Sequence, residues 1–296
     1  MKGLAIVMLI SLILAGCTSK VVDMGKVKLQ TVKVGDITIG YKTIGKGYTL
    51  VLIMGYGSTM DMWDSRVLTK LAGHYRVIIF DNRGMGSSTA SDKEFNIGLF
   101  AEDTAGLLKA LNIKKADVLG FSMGTNIALE FTLRYPEMVN KLILYAGDCG
   151  GEGSVQPDEE VMRQLTDTSG TPEERGKRMI GLIFPGKWLK DNPDASKYTP
   201  KVTETSRPEI IDRQTKAMTT WEGCYSRLNN LSLPVLLITG TEDVLTPPRN
   251  SLILADRIPL TRLVQIKGAG HGLMYQYPEE FLKTVLSFLQ SSVKIP

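Results

Sequence analysis

The sequence predicts an α/β protein built on a doubly wound, mostly parallel sheet of eight strands, with helices on both faces and an inserted helical cap. Short, continuously apolar runs recur along the chain, and such runs fit strands that are covered on both faces. Segments with helical spacing of apolar residues lie between them, and this alternation is typical of a parallel sheet. A chain of 296 residues with 43% hydrophobic residues can bury the one large core that such a sheet needs.

Eight strands are predicted in chain order. The first two form an antiparallel hairpin, because residues 30–43 alternate apolar and polar side chains around Gly35-Asp36. The six later strands are the apolar runs at residues 49–54, 76–80, 116–121, 141–145, 234–239 and 262–266. Between them, residues 101–111 and 123–135 have helical periodicity and predict helices.

Residues 150–230 interrupt this alternation with many charges and prolines. The apolar residues of the segment are scattered, and they include Met162, Met179, Trp188, Met218 and Trp221. We interpret the segment as an inserted helical cap. A flexible polar loop is the alternative, although an unstructured segment of this length is unusual inside a compact domain. The core then consists of residues 30–149 and 231–296.

The charge balance argues against a nucleic-acid-binding protein, and the histidines and cysteines argue against a metal site. The 35 basic and 31 acidic residues are interleaved along the chain, which argues against a nucleic-acid partner. The two histidines, His74 and His271, and the three cysteines do not have metal-ligand spacing. We therefore expect no metal, and the chemistry predicted below requires no cofactor.

The N-terminal residues resemble the signal peptide of a bacterial lipoprotein. Lys2 is followed by an apolar run at residues 4–14 and then by L-A-G-C, which ends at Cys17 and resembles a lipobox. The resemblance implies removal of residues 1–16, a lipidated Cys17, a tether at residues 17–29 and an exported protein anchored in a membrane at the cell surface or outer membrane. An uncleaved anchor and an ordinary signal peptide are the alternatives.

Cys149 and Cys224 gain a second interpretation if the chain is exported. An oxidising compartment would let them pair in a disulfide that encloses most of the predicted cap. The alternative is two unpaired, buried thiols. Sequence does not decide between them, because a disulfide requires two Cα atoms that lie close together in the fold.

Ser122 lies at the centre of the motif G-F-S-M-G at residues 120–124, between a predicted strand and a predicted helix. This context is typical of a tight strand-to-helix turn, in which the residues two positions from the serine must be small. The following helix also directs free N–H groups toward the serine. We predict that Ser122 is a nucleophile; the alternative is a loop serine that caps the helix.

A serine nucleophile needs a base, and the chain has two histidines that could serve. His74 precedes a predicted strand and would lie at the amino edge of the sheet. His271 follows the strand L-V-Q-I in K-G-A-G-H-G and would lie at the carboxyl edge, where sites form in open α/β sheets. We therefore predict His271 as the general base.

The acid that orients this histidine is predicted to be Asp243, which follows the strand V-L-L-I. The order serine, aspartate, histidine along the chain agrees with this assignment. Asp148 follows an earlier strand and is the alternative acid. The simplest structural role for Asp243 would be that of a turn-forming residue.

Two further motifs complete a resemblance to a known family. M-G-Y-G at residues 54–57 resembles a His-Gly-x loop with Met54 in place of the usual histidine, and D-N-R-G-M-G-S-S at residues 81–88 resembles a D-x-R-G-x-G-x-S signature. Together with G-F-S-M-G, these motifs make residues 30–296 similar to the capped, esterase-like members of the α/β-hydrolase superfamily.

The resemblance implies the α/β-hydrolase fold and hydrolysis of a carboxylic ester through an acyl-enzyme. The amides of Tyr56 and Met123 would form the oxyanion hole, and Asp81 and Arg83 would brace loops near the site. The apolar residues of the cap indicate a small-molecule, apolar ester or a lipid-like substrate; the alternative is that these side chains only pack the cap onto the core. Action on lactone, amide or carbon–carbon bonds, perhydrolase activity, and a non-catalytic surface lipoprotein that keeps the fold are the alternatives.

Overall fold

A computed structural model describes residues 21–201 and 207–291 of the chain. The strands within these residues are β1 (Gln30–Val34), β2 (Ile37–Ile44), β3 (Thr49–Ile53), β4 (Arg76–Phe80), β5 (Ala116–Phe121), β6 (Val139–Tyr145), β7 (Val235–Gly240) and β8 (Thr261–Ile266). They form one sheet in the order β1-β2-β4-β3-β5-β6-β7-β8. The pairs β1–β2 and β2–β4 are antiparallel, and the other neighbouring pairs are parallel. The prediction of an eight-stranded, mostly parallel α/β fold is confirmed.

Ten α-helices accompany the sheet in the described residues. They are α1 (Ser65–Ala72), α2 (Ile97–Ala110), α3 (Met123–Arg134), α4 (Glu159–Thr166), α5 (Pro172–Ile183), α6 (Gly186–Asp191), α7 (Pro208–Thr219), α8 (Arg249–Arg257), α9 (Leu273–Gln276) and α10 (Pro278–Gln290). Helices α2 and α3 pack against each other, as do α1 and α10.

The sheet is covered on both faces because its strands direct alternate side chains into two apolar clusters. On β3, Val51 and Ile53 pack into the cluster that includes α2 and α3, whereas Leu50 and Leu52 pack into the cluster that includes α1 and α10. All four side chains are fully buried. This two-sided burial is why the strands appear in the sequence as continuously apolar runs.

The parallel strands end at one edge of the sheet, which positions the loops that matter for function. Because β3 and β5 to β8 run in the same direction, the loops after them share the carboxyl edge. In chain order these loops carry Tyr56, Ser122, Asp148, Asp243 and His271. By contrast, the exposed His74 precedes β4 and lies at the amino edge, as predicted.

Helices α4 to α7 lie between residues 150 and 230, the segment interpreted as a cap. They do not pack equally well. Helix α4 buries none of its residues, whereas α7 buries Ile210, Gln214 and Ala217. Helix α7 is therefore the better-anchored of these two cap helices.

Cys17 and the predicted signal peptide at residues 1–16 lie outside the described residues, so lipidation of Cys17 stays a prediction. The described part of the predicted tether lies against the core, because Val22 donates its N–H to Oγ1 of Thr69 at 2.8 Å. Within the part of the chain that the structure describes, no helix is long and apolar enough to span a bilayer.

Cys149 and Cys224 are both buried and carry free thiols in the structure. The N–H of Cys224 donates to the carbonyl of Cys149 at 2.8 Å, which joins the loop after β6 to the segment after α7. Burial raises the pKa of the Cys149 thiol to about 11. The two cysteines thus occupy adjacent segments, and a disulfide between them stays a prediction.

Candidate active site

Ser122 connects the end of β5 to the start of α3 in a backbone conformation that non-glycine residues rarely adopt, with φ 55° and ψ −125°. Its N–H donates to the carbonyl of Tyr145 at 3.0 Å, and its carbonyl accepts from the N–H of Thr125 at 2.7 Å. Bonds from the neighbouring strand and from its own helix therefore hold the strained residue in place.

The two glycines of the motif are required by close packing. A Cβ atom at Gly120 would lie 2.3 Å from the carbonyl oxygen of Gly124, and one at Gly124 would lie 2.1 Å from the carbonyl oxygen of Ile53. A larger residue at Gly124 would push α3 away from β3 and move Ser122 with it.

The ring of His271 is paired with the carboxylate of Asp243. Nδ1 of His271 lies 2.9 Å from Oδ2 and 3.1 Å from Oδ1 of Asp243, and both side chains are buried. Oδ1 also accepts the backbone N–H groups of Leu245 at 3.0 Å and Thr246 at 2.9 Å, which fixes the carboxylate. Because an ionised carboxylate can only accept, we assign the proton to Nδ1, which leaves Nε2 free to accept another.

The loop that carries His271 is held by the core and by the cap. The hydroxyl of Tyr145 donates to the carbonyl of His271 at 2.6 Å, and burial raises the pKa of Tyr145 well above its usual range, so this donor stays protonated. From the cap, the carbonyl of Ile183 at the end of α5 accepts the N–H of Gly272 at 2.8 Å. The same carbonyl would lie 2.7 Å from a Cβ atom at Gly270. The glycines that flank the histidine therefore permit close contact with the cap.

Ser122 and His271 line one cavity at the carboxyl edge. In the described residues, no hydrogen bond joins the Ser122 hydroxyl to the His271 ring. Such bonds are often long in unliganded enzymes and tighten when substrate is bound. The structure thus brings the predicted nucleophile and the predicted base to the same cavity.

Asp148, the alternative acid, also lines this cavity but has other partners. Its Oδ1 accepts from the N–H of Gly150 at 2.7 Å and from Nδ2 of Asn126 at 3.1 Å. Burial raises the pKa of Asp148 despite these two bonds. Between the two carboxylates, it is Asp243 that bonds to the histidine.

Residues 54–58, which we call the oxyanion loop, lie directly beside the strand-to-helix turn at residues 120–124, which we call the elbow. A Cβ atom at Gly55 would lie 2.9 Å from Cβ of Ser122, so only glycine allows this approach. Tyr56 and Met123 both line the cavity with Ser122. Among the described residues, no hydrogen bond is formed by the amide N–H of Tyr56 or Met123, and the oxyanion hole that these two amides would form stays a prediction.

The motif at residues 81–88 contacts the oxyanion loop through Asn82 and the segment just after that loop through Asp81. Nδ2 of Asn82 donates to the carbonyl of Met54 at 2.9 Å. The carboxylate of Asp81 accepts the N–H groups of Met60 at 2.7 Å and Ser87 at 2.8 Å. Asn82 was not singled out in the sequence, although its place in the motif was a usable signal.

Arg83 of the same motif is buried and has more distant partners. Its guanidinium bonds to Asp103 on α2 at 2.6 Å and to Asp36 in the β1–β2 turn at 3.2 Å. The residue thus ties the hairpin to α2, instead of contacting the oxyanion loop.

Comparisons with known proteins identify the family of the chain. Residues 48–179 match a family model described as alpha/beta hydrolase fold, and residues 217–293 match one described as TAP-like protein. A Mycobacterium tuberculosis protein named as a non-heme bromoperoxidase is 30% identical over 264 residues, covering 86% of this chain and 98% of its own. The chain belongs to the α/β-hydrolase superfamily.

Solved structures resemble this α/β-hydrolase over most of its length. A thermophilic esterase from Thermogutta terrifontis aligns with a TM-score of 0.77 at 23% identity, covering 89% of this chain and 98% of the esterase. The enol-lactonase from Burkholderia xenovorans aligns with a TM-score of 0.78 at 22% identity, covering 88% of this chain and 100% of the lactonase. These likenesses show the shared fold, and the superfamily membership supports a hydrolase.

The cavity of this α/β-hydrolase has a volume of about 1050 Å³ and lies between the cap and the carboxyl edge. The apolar side chains that the cap contributes to its wall include Met162, Leu165, Met179, Ile183, Met218 and Trp221. Among the described lining residues, the charged ones are all acidic, namely Asp148, Glu152 and Glu222. The described residues contain no group of His, Cys, Asp and Glu arranged to hold a metal ion.

Proposed function

We propose that this α/β-hydrolase is a serine hydrolase that cleaves carboxylic esters through an acyl-enzyme. Ser122 is the nucleophile, His271 the general base and Asp243 the orienting acid. The observation that carries the proposal is the 2.9 Å contact between Nδ1 of His271 and Oδ2 of Asp243, on the wall of the cavity that also contains Ser122.

In the first half of the cycle, Oγ of Ser122 attacks the carbonyl carbon of the ester while Nε2 of His271 takes the hydroxyl proton. The imidazolium that results is stabilised by Asp243. The carbonyl oxygen becomes negative and accepts the N–H groups of Tyr56 and Met123, each worth about 3 kcal/mol of barrier. The tetrahedral intermediate then collapses, and His271 returns the proton to the departing alcohol.

In the second half, water replaces the alcohol. His271 removes a proton from the water as its oxygen attacks the acyl carbon, and a second tetrahedral intermediate forms at the same oxyanion site. Collapse of that intermediate breaks the bond to Oγ and returns the proton to Ser122. The products are a carboxylic acid and the free enzyme, so no oxidant or cofactor is consumed.

The cavity wall supports an apolar, uncharged ester as the substrate. Methionine and tryptophan side chains from the cap cover the site, and a wall of this kind accepts apolar groups. An anionic substrate would bring its charge close to Asp148, Glu152 and Glu222 without a described cationic partner on the wall. The proposal therefore favours neutral esters with a sizeable apolar group.

A fluorophosphonate probe tests the assignment of the nucleophile. The wild-type protein is expected to be labelled on Ser122, and Ser122→Ala to lose both labelling and ester hydrolysis. Ser226→Ala is the matched control, since Ser226 also lines the cavity and its loss should leave labelling intact. Absence of labelling in the wild-type protein would indicate a non-catalytic chain. A panel of esters, lactones and amides then identifies the bond that is cleaved.

We also propose that the enzyme works outside the cytoplasm, anchored in a membrane through lipidated Cys17. The support is the L-A-G-C motif after an apolar run, since residues 1–20 lie outside the described structure. Metabolic labelling with an alkyne-bearing palmitate analogue should mark the wild-type protein and not Cys17→Ser. Equal labelling of the two proteins would contradict the anchor.

A further inference from the structure

We propose that Gln214 and Thr215 on cap helix α7 are positioning residues that hold the oxyanion loop in its catalytic conformation. The inference rests on the proposed function, because it assigns a purpose to contacts around the loop that carries the Tyr56 amide. It adds a role for the cap beyond covering the substrate.

Gln214 holds the backbone of the oxyanion loop directly. Its side chain is fully buried, and Oε1 accepts the N–H of Gly57 at 2.9 Å. Gly57 follows Tyr56 immediately, so the bond fixes the peptide plane next to the residue whose amide is the proposed oxyanion donor. The other polar atom, Nε2, is buried without a hydrogen-bond partner in the described residues.

That unpartnered Nε2 atom argues that the glutamine is not merely a packing residue. A buried donor without an acceptor is destabilising, and an apolar side chain of similar shape would avoid this cost. A glutamine is favourable here because its oxygen meets the N–H of Gly57. The glutamine at position 214 therefore holds the loop at a cost to the stability of the fold.

Thr215 holds the side chain of Tyr56. Its Oγ1 donates to the carbonyl of Ile211 at 3.0 Å in the same helix, and this uses the one proton of the threonine hydroxyl. At the 2.7 Å contact between Tyr56 and Thr215, the tyrosine hydroxyl must then be the donor. Burial raises the pKa of Tyr56, which keeps that donor protonated.

These contacts come from one face of α7, because residues 211, 214 and 215 are spaced by three and four positions. Ile211 completes the face, since its Cδ1 would lie 3.4 Å from a Cβ atom at Gly57. On its other side the loop meets the elbow, where Gly55 lies against Ser122. The oxyanion loop is therefore clamped between a cap helix and the nucleophile.

Helix α7 can serve as a rigid support because it is itself fastened to the core. The guanidinium of Arg213 lies 3.7 Å over the ring of Phe95 and donates to the carbonyls of Ser91, at 2.8 Å, and Lys93. On the same helix, the buried Ile210 packs against Gly84.

The test compares Gln214→Met, Thr215→Val and the control Lys216→Ala in the full chain. Lys216 lies on α7 but pairs with the exposed Glu94, away from the loop. Active sites are counted with the fluorophosphonate probe, so that kcat refers to folded enzyme. A trifluoromethyl ketone, which forms a tetrahedral adduct with serine, reports on the oxyanion hole.

Gln214→Met and Thr215→Val are each expected to lower kcat about 10- to 100-fold with KM nearly unchanged, and to weaken the ketone by a similar factor. The ketone effect is the distinguishing readout, because a merely structural role would reduce the number of active sites and leave the affinity of each site unaltered. Lys216→Ala should match the wild type in both.

Two results would overturn the inference. If either folded variant keeps kcat and ketone affinity within about twofold of the wild type, the helix does not position the loop. Thr215 is only partly buried, so Thr215→Val still tests the inference if Gln214→Met fails to fold. A wild-type protein that is not labelled on Ser122 would instead overturn the proposed function, and this inference with it.

Discussion

Oδ2 of Asp243 lies 2.9 Å from Nδ1 of His271, whereas the carboxylate of Asp148, at the end of the neighbouring strand, bonds to Asn126 and Gly150. Two acids thus occupy the carboxyl edge of the sheet. Of their two carboxylates, it is that of Asp243 which bonds to the histidine. Their roles should separate clearly by mutation.

Asp243→Asn is expected to lower kcat/KM about 10³- to 10⁴-fold, because an amide in place of the carboxylate favours the wrong histidine tautomer and cannot stabilise the imidazolium. Asp148→Asn, the matched control, should cost less than about 10-fold. Steady-state hydrolysis of a nitrophenyl ester measures both.

If Asp148→Asn lowers kcat/KM more than Asp243→Asn does, the assignment is reversed and Asp148 is the orienting acid. Equal, small losses would instead contradict the proposed mechanism, since neither carboxylate would then support the histidine. Circular dichroism spectra that match the wild type would verify that the fold survives in both variants.

The elbow was predictable from sequence because its requirements are local. Gly120 and Gly124 stand two positions on either side of Ser122, and the steric need for them arises within one turn of chain. The order of strand, elbow and helix also lies within about twenty residues. Likewise, the edge of the sheet on which His271 lies follows from the direction of one strand.

The contacts of the cap were not predictable, because they join residues that are far apart in sequence. Gln214 meets Gly57 across 157 positions, and no local pattern marks either residue as a partner of the other.

The start of helix α2 was predicted four residues too late. The sequence predicted a helix from residue 101, whereas α2 begins at Ile97, directly after Asn96, whose side chain caps it.

The acidic residues at the cavity wall predict discrimination by charge. Glu152 and Glu222 are exposed and line the cavity, so a carboxylate on the substrate would be repelled. At low salt, 4-nitrophenyl hemisuccinate is expected to have a kcat/KM about 10-fold below that of the similarly sized 4-nitrophenyl butyrate. Added salt should bring the two kcat/KM values closer together, because it screens the repulsion between the carboxylates.

The double variant Glu152→Gln, Glu222→Gln should also narrow the ratio of the two kcat/KM values, mainly by raising the rate with the hemisuccinate. Its rate with the neutral butyrate serves as the internal control and should change little. A ratio that is the same in wild type and double variant would show that these carboxylates do not select the substrate.

Glu130 predicts a pH-dependent contribution to stability. Its buried carboxylate bonds to Arg134 on α3 at 2.7 Å and to Arg227, in the segment that follows α7, at 2.7 Å. Burial alone would raise the pKa of Glu130, but the bonds from Arg227 and Arg134 outweigh it and lower the pKa. A lowered pKa means that the stabilisation is present above the ordinary value near 4.5 and is lost as the pH falls below it.

Glu130→Gln is therefore expected to reduce the free energy of unfolding by about 1–3 kcal/mol at pH 7, and by less as the pH falls below about 4.5. Urea denaturation over this pH range measures the difference. Glu102→Gln is the control, since Glu102 pairs with the same Arg134 on the exposed surface and should matter by less than about 1 kcal/mol. A constant deficit for Glu130→Gln at every pH would point to packing and not to charge.

The Cys149 thiol predicts a loss of stability at alkaline pH when it is reduced. Burial, with a smaller effect of Asp148, raises its pKa from 9.0 to about 11. The folded state thus holds the proton more tightly than the unfolded state, so the stabilisation is present below pH 9 and disappears as the pH rises toward 11. A shift of this size corresponds to about 2–3 kcal/mol.

Relative to Cys149→Ala, the wild-type protein should therefore lose about that much stability between pH 9 and pH 11 in urea denaturation with reductant. Parallel pH profiles for the two proteins would contradict the raised pKa, and a wild-type profile that changes when reductant is omitted would instead reveal pairing with Cys224.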